Sequence, residues 1–342
     1  METNNSKVLL IYTGGTIGMI KDYQTGVLRA FEFDNLYSRI PELSHLDCEI
    51  SVHSFEKVID SSDMNPQHWV SIAEVIEKEY QHYDGFVVLH GSDTMSYSAS
   101  ALSFMLQGLA KPVIFTGSQL PIGDLRTDAK ENLITSIQLA ALKENGVSVI
   151  QEVGLYFEYK LYRGNRTTKV NAEHFQAFTS MNYPILVESG VHLKIMKDNL
   201  LKGKAKDQLE VWKEFEQNVA IIKIFPGITP ELLNAFFNIP HLKGVVLETY
   251  GSGNAPTYDW FLEALRATIQ RGIPIINVTQ CSGGSVIMGK YEASEALRQM
   301  GIIDGKDITT ESAITKLMIL LKKNISPNLF KIKFEESLAG EF

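Results

Sequence analysis

The stretch VLLIYTGGTIGM, residues 8–19, decides how the rest of the chain is read. Val8, Leu9, Leu10 and Ile11 run without alternation into a loop of two threonines and three glycines. An uninterrupted apolar strand is buried on both faces, the condition of a parallel sheet covered by helices. The same phrase recurs along the chain. FVVLH (86–90) runs into Gly91-Ser92-Asp93-Thr94 and a helical pattern over 95–109, and PVIFT (112–116) runs into Gly117-Ser118-Gln119. Further on, apolar runs at 219–225, 244–250 and 275–279 follow the rule, the last two ending in Gly251-Ser252-Gly253-Asn254 and Gln280-Cys281-Ser282-Gly283. Asn65-Pro66, Thr229-Pro230-Glu231 and Thr257 read as helix N-caps, and Gly272 as a C-cap.

With 342 residues and 44% hydrophobic content the chain can bury two cores, at about 150 residues per domain. The rhythm breaks at VHLKIMKDNLLKGKAKDQLEVWKEFEQN, residues 191–218, which is rich in Lys, Asp and Glu. The expectation is an α/β protein of two α/β domains, each a mainly parallel sheet flanked by helices. The larger N-terminal domain spans 1–190, a linker 191–218, and the smaller C-terminal domain 219–342.

A net charge of −8 argues against nucleic acid or an anionic membrane as partner, since both require clustered Lys and Arg. No apolar run approaches the roughly 20 residues of a membrane span, and residues 1–6 do not resemble a secretory leader. Cys48 and Cys281 make no disulfide framework and fit a reducing compartment. A soluble cytoplasmic protein is expected.

The first loop admits two kinds of chemistry, a phosphate cradle or a presented hydroxyl. Gly14-Gly15-Thr16-Ile17-Gly18 has the wrong spacing for a dinucleotide fingerprint. The near-match to a phosphate loop at 284–290 lacks the following hydroxyl, because Tyr291 stands there. His45, Cys48 and His53 are too loosely spaced for a metal site, so no metal is expected, and the serine-hydrolase elbow is missing. What remains are hydroxyls at strand ends, where open α/β sheets bind ligands. Thr16 either closes its turn or faces a ligand. Asp93 is either a helix N-cap or a site carboxylate, and Ser92 and Ser118 are turn residues taken singly. A threonine nucleophile requires a base. His90 reads as a satisfied core histidine. RGNRTTK, residues 163–169, offers a lysine, or else a set of surface charges.

Taken together, Thr13-Gly14-Gly15-Thr16-Ile17 and His90-Gly91-Ser92-Asp93-Thr94-Met95 resemble the two signature motifs of the bacterial-type L-asparaginase family. The likeness extends through residues 60–65 (DSSDMN), 116–119 (TGSQ), 163–169 and 251–256 (GSGNAP), spanning nearly the whole chain. Tyr12 before the first motif and SYSAS (96–100) after the second resemble the cytoplasmic type I branch. The resemblance implies hydrolysis of L-asparagine to L-aspartate and ammonia without a cofactor. It also implies a homotetramer of tight dimers with active sites between subunits.

Carried over by position, Thr16 corresponds to the nucleophile, while Ser92, Asp93 and Lys169 form the second catalytic group. Ser92 stands where most relatives have threonine. Ser61 and Ser62 match the loop that holds the substrate α-carboxylate. Gly15, Gly91, Ser118 and Asn254 complete the substrate-binding set, Asn254 from the C-terminal half. Residues 18–31 resemble the family's lid, in which Tyr23 is the candidate tyrosine, three residues upstream of Gly26. Some type I enzymes bind asparagine at a second, regulatory site through an arginine. Glu248 stands at that place here, which argues against activation by substrate. Three other functions remain in view: a mixed asparaginase/glutaminase, a tRNA-linked amidase and a non-catalytic amino-acid sensor. The tRNA-linked reading requires an RNA-binding extension that this acidic chain does not offer.

Overall fold

The structure, a computed structural model, describes residues 6–21, 28–30, 40–206, 208–289 and 292–342. The chain divides into two compact units, Met1–Lys213 and Glu214–Phe342.

In the first unit the opening apolar run forms β1 (Ser6–Gly14), with Val8, Leu9, Leu10 and Ile11 between 0% and 3% exposed. It lies between β2 (Cys48–Ile59) and β3 (Gly85–Leu89), parallel to both. The parallel run continues through β4 (Val113–Thr116) to β5 (Val153–Phe157). Three antiparallel strands then finish the sheet: β6 (Lys160–Arg163), β7 (Val187–Ser189) and β8 (Leu193–Ile195). The full order is β8-β7-β6-β5-β4-β3-β1-β2.

Three helices connect these strands. α1 (Pro66–Glu79) starts as the sequence indicates, with Asn65 Oδ1 accepting from the Gln67 N–H at 3.0 Å. α2 (Met95–Met105) stops four residues before the expected end. Leu106–Gln107 leaves the helix to pair with Glu210–Val211, and Gly108 takes φ 77°. α3 (Ala129–Ala141) packs Leu133, Ile137 and Ala140 against Val8, Leu10, Val87, Leu89 and Ile114. The alternate residues Leu9, Ile11, Phe86, Val88 and Phe115 point to the opposite face and are equally buried. The sheet is thus covered on both sides.

The charged stretch 191–218, read as a linker, is divided between the two units. Residues 193–195 form the edge strand β8, and Lys213 reaches Glu77 of α1 at 2.6 Å. Its charge comes from an exposed sheet edge and surface turns, which share the composition of a connector. Residues 214–218 open the second unit, where the Glu216 N–H donates to Met318 O at 2.9 Å.

The second unit is built on four parallel strands in sequence order: β9 (Val219–Lys223), β10 (Gly244–Thr249), β11 (Ile275–Thr279) and β12 (Ile303–Asp304). Around them run α4 (Pro230–Phe237), α5 (Asp259–Gln270), α6 (Glu292–Gln299), α7 (Thr310–Leu320) and α8 (Pro327–Glu335). Thr229 caps α4 as expected, accepting from Leu232 N at 3.3 Å. Thr257 does not cap α5, because Tyr258 takes the N-cap position and Asp259 places its charge in the first turn instead. Gly272, with φ 80°, closes the end of α5 by donating to Ile269 O at 2.8 Å. Among the described residues no helix is long and apolar enough to cross a membrane.

Candidate active site

Strands β2-β1-β3-β4-β5 are parallel neighbours in that order, so the loops after them leave one edge of the sheet. The chain switches direction across the sheet between β1 and β3, the place where doubly wound sheets bind ligands. Thr13 clamps this junction, its hydroxyl donating to Leu89 O at 2.8 Å. Beyond it the backbone turns through Gly14 (φ 145°) and Gly15 (φ 89°). A Cβ on Gly15 would lie 2.5 Å from Gly91 N, so the two motif loops touch backbone to backbone. Gly91 in turn packs on the side chain of Ser61, and the Thr94 hydroxyl donates to Ser61 O at 2.7 Å. Three loops, at 14–16, 60–63 and 90–94, are therefore in direct contact.

Thr16 opens at this junction, partly exposed, with its hydroxyl making no hydrogen bond among the described residues. Its alternative role as a helix cap is not what the fold uses, since Gly15 holds the N-cap of the short turn Thr16–Gly18.

Directly after Gly91, which touches Gly15, come Ser92 and Asp93, and Lys169 joins them. Lys169 Nζ donates to Asp93 Oδ1 at 2.7 Å and to Ser92 Oγ at 2.9 Å. The lysine side chain is 17% exposed and the aspartate 66%. Asp93 is thus an ion-pair partner, and α2 begins without a side-chain cap. Lys169 arrives here on the two-residue strand Thr168–Lys169, which pairs with Phe178–Thr179. The arginines before it are not surface charges. Arg163 and Arg166 are 4% and 2% exposed. Arg163 Nε donates to Glu152 Oε2 at 2.6 Å, and its Nη2 to Asn199 O at 3.0 Å. The Tyr183 ring lies 4.2 Å from the Arg163 guanidinium carbon and 5.5 Å from that of Arg166. Burial pushes the Glu152 carboxyl above its ordinary range, against the pull of Arg163. This packed turn aims Lys169 at the end of β3.

The remaining expected residues divide. Ser61 is buried at the loop contact. Ser62 donates through its backbone N–H and its hydroxyl to Asp60 Oδ1, at 2.9 and 2.8 Å, and these bonds hold Asp60 below the usual carboxylate range. Ser118 is 3% exposed and turns its hydroxyl into its own loop, donating to Leu120 O at 2.6 Å. His90 is the core histidine expected. Asn254 belongs to the second unit, where its backbone bridges to Tyr250. Tyr23 and Gly26 lie outside the described residues; the strands on either side, Met19–Lys21 and Leu28–Ala30, pair antiparallel. Among the described residues no group of three or more His, Cys, Asp or Glu converges to hold a metal ion. One residue absent from the expected set does join the cluster: Gln119, whose Oε1 lies 3.3 Å from Ser92 Oγ. Its place after a parallel strand, in the TGSQ segment next to Ser118, was the signal for it.

Comparison with known proteins shows the family. The asparaginase N-terminal domain model matches residues 7–200, and the glutaminase/asparaginase C-terminal domain model matches residues 218–333. The chain is 40% identical to L-asparaginase 1 of Escherichia coli K12 over 335 residues, 98% of this chain and 97% of that one. It is also 40% identical to the mouse 60 kDa lysophospholipase, covering 98% of this chain and 62% of that protein. The crystal structure of L-asparaginase I from Vibrio cholerae superposes with a TM-score of 0.91, at 40% identity and 99% coverage of both chains. With both domains matched in order, the chain belongs to the asparaginase family.

Proposed function

We propose that this chain hydrolyses L-asparagine to L-aspartate and ammonia, with Thr16 as nucleophile. The observation that carries the reading is the Thr16 hydroxyl, without a hydrogen bond among the described residues, at a backbone junction shared with the Lys169–Ser92–Asp93 cluster. Thr16 Oγ attacks the side-chain amide carbon, the C–N bond breaks, and the nitrogen leaves as ammonia after accepting a proton. Water then cleaves the β-aspartyl ester and restores the hydroxyl. Backbone N–H groups of the Gly15 and Gly91 loops stabilise the oxyanion, each such donor contributing about 2.7–4 kcal/mol. The Asp60–Asp63 turn, with Ser61 and Ser62, receives the substrate α-carboxylate, and Asp93 its α-ammonium. When the substrate ammonium engages Asp93, it shares that carboxylate with Lys169, whose second hydrogen bond holds Ser92 in place.

A mixed asparaginase/glutaminase is the second reading, because one methylene changes pocket selectivity by only about 1–3 kcal/mol. A sensor has no need of the aligned lysine, serine and aspartate. By its resemblance the protein acts in the cytoplasm as a homotetramer, with Asn254 completing a pocket between subunits.

Ammonia release from asparagine and from glutamine tests the reading. Wild type is expected to release ammonia from asparagine. Thr16→Ala and Lys169→Met should each lose at least about 10³-fold in kcat while keeping the wild-type Tm. Near-normal turnover of either variant removes that residue from the mechanism.

A further inference from the structure

Gln119 links Ser92 to the turn that follows Lys169, and its hydrogen bonds leave no choice of orientation. Its Nε2 donates to His174 O at 2.9 Å and to Ala172 O at 3.2 Å. Carbonyl oxygens accept only, so the amide nitrogen faces them and Oε1 faces Ser92. Oε1 has no hydrogen, so the Ser92 hydroxyl donates to it, at 3.3 Å. With its single proton committed, Ser92 Oγ presents lone pairs to Lys169, which donates to it at 2.9 Å.

The backbone of Gln119 is itself fixed. Asp128, at the start of α3, accepts from Gln119 N at 3.0 and 3.1 Å and from Leu120 N at 3.1 Å. Asn132 braces that carboxylate at 3.3 Å and Gly117 O at 3.0 Å. The carbonyls gripped by the amide lie in the turn that follows Lys169, shaped by Asn171 Oδ1 accepting from Glu173 N and His174 N at 2.9 and 2.8 Å. A ring closes from Ser92 through Gln119 to the 172–174 turn, back along the chain to Lys169, and across to Ser92.

We propose that Gln119 is a positioning residue that supplies, from outside, the rotamer restraint a serine at position 92 lacks. A β-branched threonine is stiff about χ1 by its own sterics, whereas serine is not. The amide of Gln119 locks the Ser92 hydroxyl towards itself and spaces Lys169 from it through the 172–174 turn. This rests on the catalytic roles proposed above.

The test compares kcat and KM for asparagine in wild type, Gln119→Ala, Gln119→Glu, Ser92→Thr and the double variant Gln119→Ala/Ser92→Thr. Gln119→Ala is expected to lower kcat about 10- to 100-fold, the scale of a small misplacement, with KM within about threefold. Gln119→Glu keeps an acceptor but turns oxygens towards two carbonyls, so it should behave like alanine. In the Ser92→Thr background the Gln119→Ala change should lower kcat by less than about threefold, because the methyl branch restores the restraint. An equal loss in both backgrounds, or unchanged kcat in Gln119→Ala, overturns the proposal. Hydrogen–deuterium exchange over residues 170–176, without substrate, probes the loop arm separately. Faster exchange in Gln119→Ala is expected, and wild-type exchange overturns it. A wild type that releases no ammonia from asparagine counts against the catalytic reading instead, and leaves the exchange experiment to judge Gln119.

Discussion

At the scale of single residues, His90 shows how a polar group is accommodated inside the first sheet. It is fully buried beside Phe115, with ring centroids 5.9 Å apart. Nδ1 donates to Gly91 O at 2.6 Å, which leaves Nε2 to accept from Ser98 Oγ at 2.8 Å. Ser98 accepts in turn from Trp69 Nε1 at 2.9 Å. Burial lowers the imidazole pKa from 6.5 to about 4. Between those values the unfolded chain binds the proton and the folded one does not, so stability falls as pH drops through this window. From pH 7 to pH 4 wild type should lose about 3 kcal/mol more unfolding free energy than His90→Gln, read from denaturant titrations. Parallel losses in both proteins would show that His90 is not buried neutral.

At the scale of elements, the turn that carries Lys169 depends on charges buried far from solvent. Glu152 and Arg163 form an ion pair with both side chains under 5% exposed. Removing one partner of such a pair strands the other, a cost of about 3–5 kcal/mol. Arg163→Met is expected to lower stability by that amount in denaturant unfolding, and to lower kcat as well because the turn loses its anchor. A loss under 1 kcal/mol would mean that Glu152 is neutralised or solvated instead. This element also marks a limit of sequence reading. RGNRTTK has the composition of a solvated loop, and nothing local reveals that Glu152, Tyr183 and Asn199 close over it. The early end of α2 is a similar case. The apolar pattern continues to Leu109, but pairing with Glu210–Val211 competes for the backbone of Leu106 and Gln107. By contrast the caps at Asn65 and Thr229 were legible, because a cap is a contact within three residues.

At the scale of the molecule, a mainly parallel sheet in the first unit and a parallel sheet in the second are built on strand–loop–helix units, and both domain models are matched in order. In the second unit Glu248 is the penultimate residue of β10. Its Oε1 accepts from the Thr310 hydroxyl at 2.7 Å, and its Oε2 lies 3.5 Å from Lys223 Nζ. The resemblance implies a regulatory arginine at this place, and a carboxylate there is expected to disfavour a second substrate molecule. Initial rates against asparagine concentration should follow a hyperbola with a Hill coefficient of about 1, whereas a clearly sigmoidal curve refutes the expectation. Light scattering at assay concentrations tests the proposed four-chain assembly directly, a monomer mass being the contrary result.

The sequence by itself determined the parallel sheets, the loops at their carboxyl edge, and the presence of Thr16, Ser92 and Asp93 on those loops. These follow from burial and backbone preference, which are written locally, residue against neighbour. The resemblance grouped Lys169 with Asp93, 76 positions away, but only the tertiary structure decided the contact between them, that two arginines are core residues, and that Gln119 holds Ser92. Those facts depend on strand order and on how far each side chain reaches once the sheet has assembled. No local pattern encodes them.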